Sequence, residues 1–171
     1  MDYFELIKAR HSTRTFTPQP VEKVKLDAIL DAANQAPSAG NVQGYEIFLV
    51  RKQEQKAALA KAALEQSFMA QAPVVLVFCA NPARSSRRYG QRGVRLYSVQ
   101  DATIACTFAM LAATELGLAT VWIGAFDDDA VRQAIHISDA LLPVAMLPIG
   151  YAGEHPEPTG RRKLEDLVRE L

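Results

Sequence analysis

Apolar positions along the chain keep two rhythms, helical and extended, that take turns from one end to the other. Tyr3, Phe4, Leu6 and Ile7 recur at helical spacing and predict a short amphipathic helix over residues 2–9. Val24, Leu26, Ile29, Leu30 and Ala33 form the expected buried stripe of a second helix, residues 21–35. Pro37 blocks its continuation, and Ser38, Gly40 and Asn41 are turn formers. Residues 45–50 (YEIFLV) predict a first strand, and an Ala- and Lys-rich helix follows over 52–64. Ala72-Pro73 then opens residues 74–79 (VVLVFC), an unalternating run expected of a strand buried on both faces. A short strand at 120–123, a helix at 130–135 capped by Asp127, Asp128 and Asp129, and a strand at 144–151 complete the pattern.

The longest apolar stretch, residues 97–118, predicts a single helix ended by Gly117, with Asp101 near its start where a carboxylate suits the helix dipole. No charged side chain lies between Asp101 and Glu115, and apolar residues occupy almost every face. Such a helix is buried on all sides. In a small chain that favours packing against a second subunit over an ordinary one-subunit core, and a charge at Ala109 is then expected to cost dimerisation. Two stretches lack an apolar face. Residues 81–94 carry Arg84, Arg87, Arg88 and Arg92 with few apolar anchors and predict an exposed, mobile loop. The tail is basic at Arg161, Arg162 and Lys163 before a short amphipathic helix at 164–168. Interleaved helices and strands place the fold among α/β or α+β proteins with a mixed sheet sandwiched by helices.

A chain of 171 residues fits one domain spanning 1–171. Its 19 Lys and Arg balance 19 Asp and Glu, so no global field points to nucleic acid or to an anionic membrane, and any anion site must be local. Cys79 and Cys106 sit in apolar runs without metal or redox spacing, as expected of a protein in the reducing cytoplasm. No G-x-G-x-x-G, phosphate loop, H-E-x-x-H or G-x-S-x-G pattern is present. What remains is Arg10-His11-Ser12-Thr13-Arg14, where two guanidinium forks, hydroxyls and backbone N–H groups follow a helix. The forks suit phosphate oxygens. The same residues suit a solvated basic helix end.

Several ordered segments together resemble the FMN-dependent nitroreductase family across nearly the whole chain: Arg10 through Phe16; Ala36-Pro37-Ser38-Ala39-Gly40-Asn41-Val42-Gln43; Gln66 through Pro73; Gln100-Asp101 opening the long helix; Gly117-Leu118 through Trp122-Ile123-Gly124; and Ile149-Gly150-Tyr151 before a basic tail. The resemblance implies a three-layer α+β fold with a mixed central sheet and a long buried central helix, in an interlocked homodimer that shares two FMN sites. By position, Arg10, His11, Ser12 and Arg14 would hold the phosphate and ribityl chain, joined by Arg161 and Arg162, with Lys163 able to replace one of these. Ser38, Ala39, Gly40 and Asn41 of the partner chain would line the isoalloxazine, Ile123 and Gly124 would face its reactive edge, and Gln66 or Ser67 its pyrimidine side. Each has a plainer alternative: a helix-ending turn, a core strand residue, a polar helix surface. Asp101 is expected to act as a structural cap. The family often carries Pro and then an aromatic after Gln43, where this chain has Gly44-Tyr45.

The implied activity is ping-pong transfer of hydride from NADH or NADPH through FMN to a small oxidant such as a nitroaromatic or quinone, with no side chain required as acid or base. A flavin carrier or sensor with little turnover, and an enzyme that consumes reduced flavin, fit the same scaffold. Arg84 through Arg92 would then gate the pocket, recognise a phosphorylated nicotinamide donor, or simply be solvated.

Overall fold

A computed structural model describes all residues, 1–171. Seven α-helices and four strands form: α1 Tyr3–Ala9, α2 Lys23–Asn34, β1 Tyr45–Val50, α3 Gln53–Ala62, β2 Val74–Ala80, α4 Pro82–Arg92, α5 Ser98–Glu115, β3 Ala119–Thr120, α6 Asp128–Ile135, β4 Leu142–Gly150 and α7 Leu164–Leu167. The sheet runs β1-β2-β4-β3, and each neighbouring pair is antiparallel. Its mixed character is confined to one parallel bridge between Ser12 and Thr120 at the β3 edge.

Period-two side-chain alternation builds the layers. Val75, Val77 and Cys79 of β2 join Met146 of β4 in a cluster with Leu59, Ala63 and Val131, beneath α3 and α6. Val74, Leu76 and Phe78 face the opposite way, with Leu147 and Ile149, against α2 and α5. Helices on both faces explain why β2 is buried at every position. The result is the expected α/β/α sandwich.

The fully buried positions of α5 that meet the sheet are small, with Ile104 and Met110 packing partly buried at the edge of the same cluster. Ala102, Ala105, Cys106, Ala109 and Ala113 are fully buried, which lets the helix axis approach the strands closely. Its end is a Schellman arrangement: Leu118 N–H donates to the Ala113 carbonyl and Gly117 N–H to that of Thr114, with Gly117 at φ +75°. Large side chains on the other flank are not covered. Phe108 is exposed and joins neither core cluster, nor does half-buried Leu111. The expectation for Ala109 is therefore corrected, because it packs within its own subunit and the uncovered position is Phe108.

Three further expectations change. Residues 81–94 are not a loop but α4, followed by a π-helical turn, Gly93–Tyr97. Asn81 caps the helix by accepting from Arg84 N–H, and Pro82 occupies its first turn. Val24 is exposed rather than in the stripe of α2, which buries Leu26, Ile29 and Ala33. α1 buries nothing: Tyr3, Phe4 and Ile7 are all exposed. The helical run Pro82–Glu115, 34 residues interrupted by a kink at Gly90 (φ +51°), is long and apolar enough by composition to cross a membrane, but α5 packs its inner face on the sheet.

Candidate functional site

The Arg10–Arg14 segment is held as an extra edge of the sheet. Thr13 N–H donates to the Thr120 carbonyl at 3.0 Å, Gly153 N–H to that of Thr15 at 2.7 Å, and Thr17 N–H to that of Tyr151 at 2.9 Å. Thr13 is buried, while Arg10 projects into a cavity of about 630 Å³ lined also by Ile7, Lys8, His11, Pro158, Thr159 and Arg161. The structure thus brings Arg10, His11 and Arg161 together from segments 150 residues apart and adds Lys8 and Thr159, which the sequence reading missed. Arg10 forms no ion pair. Arg161 is oriented by bonds from one guanidinium nitrogen to the Thr159 carbonyl and hydroxyl, at 2.9 and 2.8 Å, and to the Gly160 carbonyl. Ser12 and Arg14 line neither this cavity nor the neighbouring one around Thr13 and Glu154. Arg162 turns to the Asp166 carbonyl, and Lys163 pairs with Glu165.

The glycine turn is a separate construction. Asp101, buried at the start of α5, accepts from Ala39 N–H at 3.0 Å through one oxygen and from Gly44 N–H at 3.1 Å through the other. One carboxylate so pins both ends of the turn. Ser38 Oγ closes it from inside by accepting from Gln43 N–H at 3.0 Å. Gly40 at φ +53° and Asn41 at φ +56° give the turn its left-handed step. A Cβ at Gly40 would collide with Tyr89 Oη, and one at Gly44 with Ser85 Oγ, so both glycines make room for α4. A proline at position 44 would have no N–H to give Asp101. That is the physical sense of Gly44 here. Ser38, Ala39 and Asp101 line a cavity of about 470 Å³ with Tyr97, Gln100 and Ile104.

The sequence marked Asp101 as a dipole-matched acid and a structural cap but not as the anchor of this turn, because its partners lie 62 and 57 residues away. Ile123 is buried and paired by backbone with Met146, and Gly124 is exposed beside the Trp122 indole. Gln66 follows two left-handed residues, Leu64 and Glu65, and its side chain donates to the Ala63 carbonyl at 2.9 Å. It closes a turn rather than lying on a helix surface.

The family profile described as the Nitroreductase family matches residues 7–67 and 62–151. The chain belongs to the nitroreductase family. Among nitroreductase relatives, a Methanothermobacter thermautotrophicus protein provisionally named NADH dehydrogenase/NAD(P)H nitroreductase is 31% identical, covering 99% of this chain and 85% of its own. The FMN reductase [NAD(P)H] of Bacillus subtilis is 32% identical over 88% of this chain and 67% of its own. A nitroreductase family protein from Clostridium difficile superposes with a TM-score of 0.87 at 33% identity, covering 99% of this chain and 98% of that one.

Proposed function

We propose that this nitroreductase is a single-domain, FMN-dependent NAD(P)H oxidoreductase of the cytoplasm, working as a homodimer by ping-pong exchange with a small oxidant. The observation that carries the flavin assignment is the Arg10 cavity: a cationic set, Lys8, Arg10 and Arg161 with His11, converging on space that no acidic side chain lines. That donor set fits the phosphate of FMN, because guanidinium forks bind phosphate oxygens through parallel charge-assisted bonds. Arg10 and Arg161 hold the phosphate end, whereas Ser12 and Arg14 lie outside this cavity. Bound FMN would supply the hydride chemistry. The chain's own work is to bind, orient and bias charge, since cations and backbone N–H donors favour the more negative reduced state.

The dimer reading rests on uncovered apolar surface. The Arg10 cavity and the Ser38 cavity share no lining residue, so one chain presents two halves. Phe108 on α5, Tyr3, Phe4 and Ile7 on α1, and Leu164, Leu167 and Val168 in the tail are each exposed, a supply of uncovered apolar surface that a second copy would bury. A second copy that covers them would bring its Ser38–Asn41 turn to this chain's phosphate cradle. Buried, unpaired Cys79 and Cys106 suit a reducing compartment.

The absorption spectrum of the purified protein, followed by release and identification of flavin, tests the reading, and anaerobic mixing with NADH or NADPH should bleach the flavin within seconds. A colourless protein that takes up no FMN would defeat it. A flavin that neither nicotinamide bleaches would leave the carrier. Arg10→Ala is expected to weaken FMN retention roughly 10- to 100-fold, the value of one charge-assisted bond, measured by equilibrium dialysis.

A further inference from the structure

α4 is a basic element whose arginines pair with no acid, the acids against it, Glu46 and Asp101, being bonded to the Asn81 side chain and to the Ala39 and Gly44 N–H groups. Arg84, Arg87, Arg88, Arg92 and Arg95 lie in a stretch, residues 66–100, that contains no Asp or Glu. All five are exposed, and none forms an ion pair. Helical spacing sets Arg84, Arg87 and Arg88 on neighbouring positions of one face.

A solvated basic face would leave such side chains free, but several of these are held. Arg84 Nε donates to the Val42 carbonyl at 2.8 Å and Arg88 Nη1 to the Gly40 carbonyl at 2.9 Å. Each uses one N–H on the glycine turn and keeps the rest of a five-donor fork free. Arg92 donates to Tyr97 Oη at 2.9 Å and lies over its ring, and Tyr97 lines the same cavity as Ser38 and Ala39. The helix itself is locked in place by buried Ser85 beneath Gly44 and by Tyr89 over Gly40. Oriented guanidinium groups with unused donors are the arrangement that binds phosphate.

We infer that α4 is a phosphate subsite for the nicotinamide donor: Arg84, Arg87 and Arg88 receive the adenosine 2′-phosphate of NADPH when its nicotinamide ring enters the pocket beside the glycine turn. This rests on the oxidoreductase reading above and adds a donor preference to it. Arg87 forms no hydrogen bond to the turn, unlike Arg84 and Arg88, so it grips the ligand without anchoring the flavin pocket. Arg84 and Arg88 do both.

The test uses direct binding as well as turnover. Calorimetric titration of the purified protein with 2′,5′-ADP and with 5′-AMP needs no flavin reduction, and the wild type should bind 2′,5′-ADP at least tenfold more tightly, with an affinity that falls as salt rises. Arg87→Glu should erase that difference and lower kcat/KM for NADPH at least tenfold while leaving NADH within about twofold. Arg87→Ser, which only removes the charge, should fall between the two. Equal binding of the two nucleotides by the wild type would overturn the inference, as would a wild type that favours NADH or an Arg87→Glu protein with an unchanged NADPH:NADH ratio. If instead the protein takes up no flavin but still discriminates 2′,5′-ADP through Arg87, the oxidoreductase reading fails and the phosphate subsite stands.

Discussion

The two faces of α5 carry opposite kinds of side chain. Toward the sheet it presents alanines and a cysteine, all with essentially no exposed surface; away from it lie Phe108 and Leu111, outside both core clusters. A one-subunit core would bury the large residues and leave the small ones to solvent, because burial gains scale with apolar area. The inversion fits an inner face that allows close approach and an outer face that the proposed dimer would cover. A helix apolar all round is thus two interfaces, one complete in the single chain and one not.

Paired substitutions break that comparison most sharply. Ala109→Asp places a charge among Leu26, Phe78 and Leu147 with no partner, at a cost beyond about 5 kcal/mol, so the protein should fail to fold as judged by circular dichroism. Phe108→Asp, one residue along, should leave the fold intact and weaken self-association about 100-fold, roughly 3 kcal/mol, with flavin lost in step. Sedimentation velocity across a concentration series reads the second effect. An unfolded Phe108→Asp protein, or a well-folded Ala109→Asp one, would contradict the division of the faces.

Asp101 starts the inner face and tests how the finished side serves the site. Replacing it with Ala orphans the N–H groups of Ala39 and Gly44. Two charge-assisted bonds put the loss near 3–4 kcal/mol, measurable by urea unfolding. The Ser38–Asn41 turn should loosen as well, and FMN affinity should fall more than global stability predicts. A stability loss below about 1 kcal/mol would reduce Asp101 to a helix-dipole residue.

What could be read from the sequence follows the same boundary. β1, β2, β4, the inner face of α5, the Asp127 cap and the glycine turn are written in local periodicity and turn chemistry, and each is found where expected, whereas the strand expected over 120–123 shrinks to Ala119–Thr120 and the outer flank of α5 is not buried. α4 was hidden because it has no apolar stripe. Asn81-Pro82 was the available signal, a capping residue before a first-turn proline, but the helix is held mainly by Ser85 and by arginines on the turn's carbonyls, contacts reaching back some 40 residues. Asp101 was read as structural, but its partners in the glycine turn were illegible for the same reason. The Arg10–Arg161 meeting came from resemblance, since no local pattern joins an arginine at the end of α1 to a tail. Val24 misled because a helical stripe read from spacing alone does not say where the neighbouring element stops.

The smallest effect concerns the thiols on either side of the sheet. Burial pushes the Cys79 thiol from its ordinary value of 9.0 up to about 12, opposed weakly by the Arg132 charge, and pushes Cys106 higher still. Cys106 belongs to the inner face of α5. Both native thiols therefore stay protonated at pH values where the unfolded chain loses its protons. Between pH 9 and 12 the unfolded state binds fewer protons than the native one, so stability that is intact below pH 9 declines as pH rises through this window. One pH unit above the unfolded value is worth on the order of 1 kcal/mol per thiol. Urea midpoints should thus drop between pH 9 and 11, and the slope should flatten in a Cys79→Ala, Cys106→Ala protein even though its midpoint at pH 8 is lower. Lysines and tyrosines also titrate in this range, so it is the difference in slope between the two proteins that isolates the thiols. Equal slopes would mean that water reaches both sulfurs, so that the seal between α5 and the sheet around Cys106 is looser than its row of small residues implies.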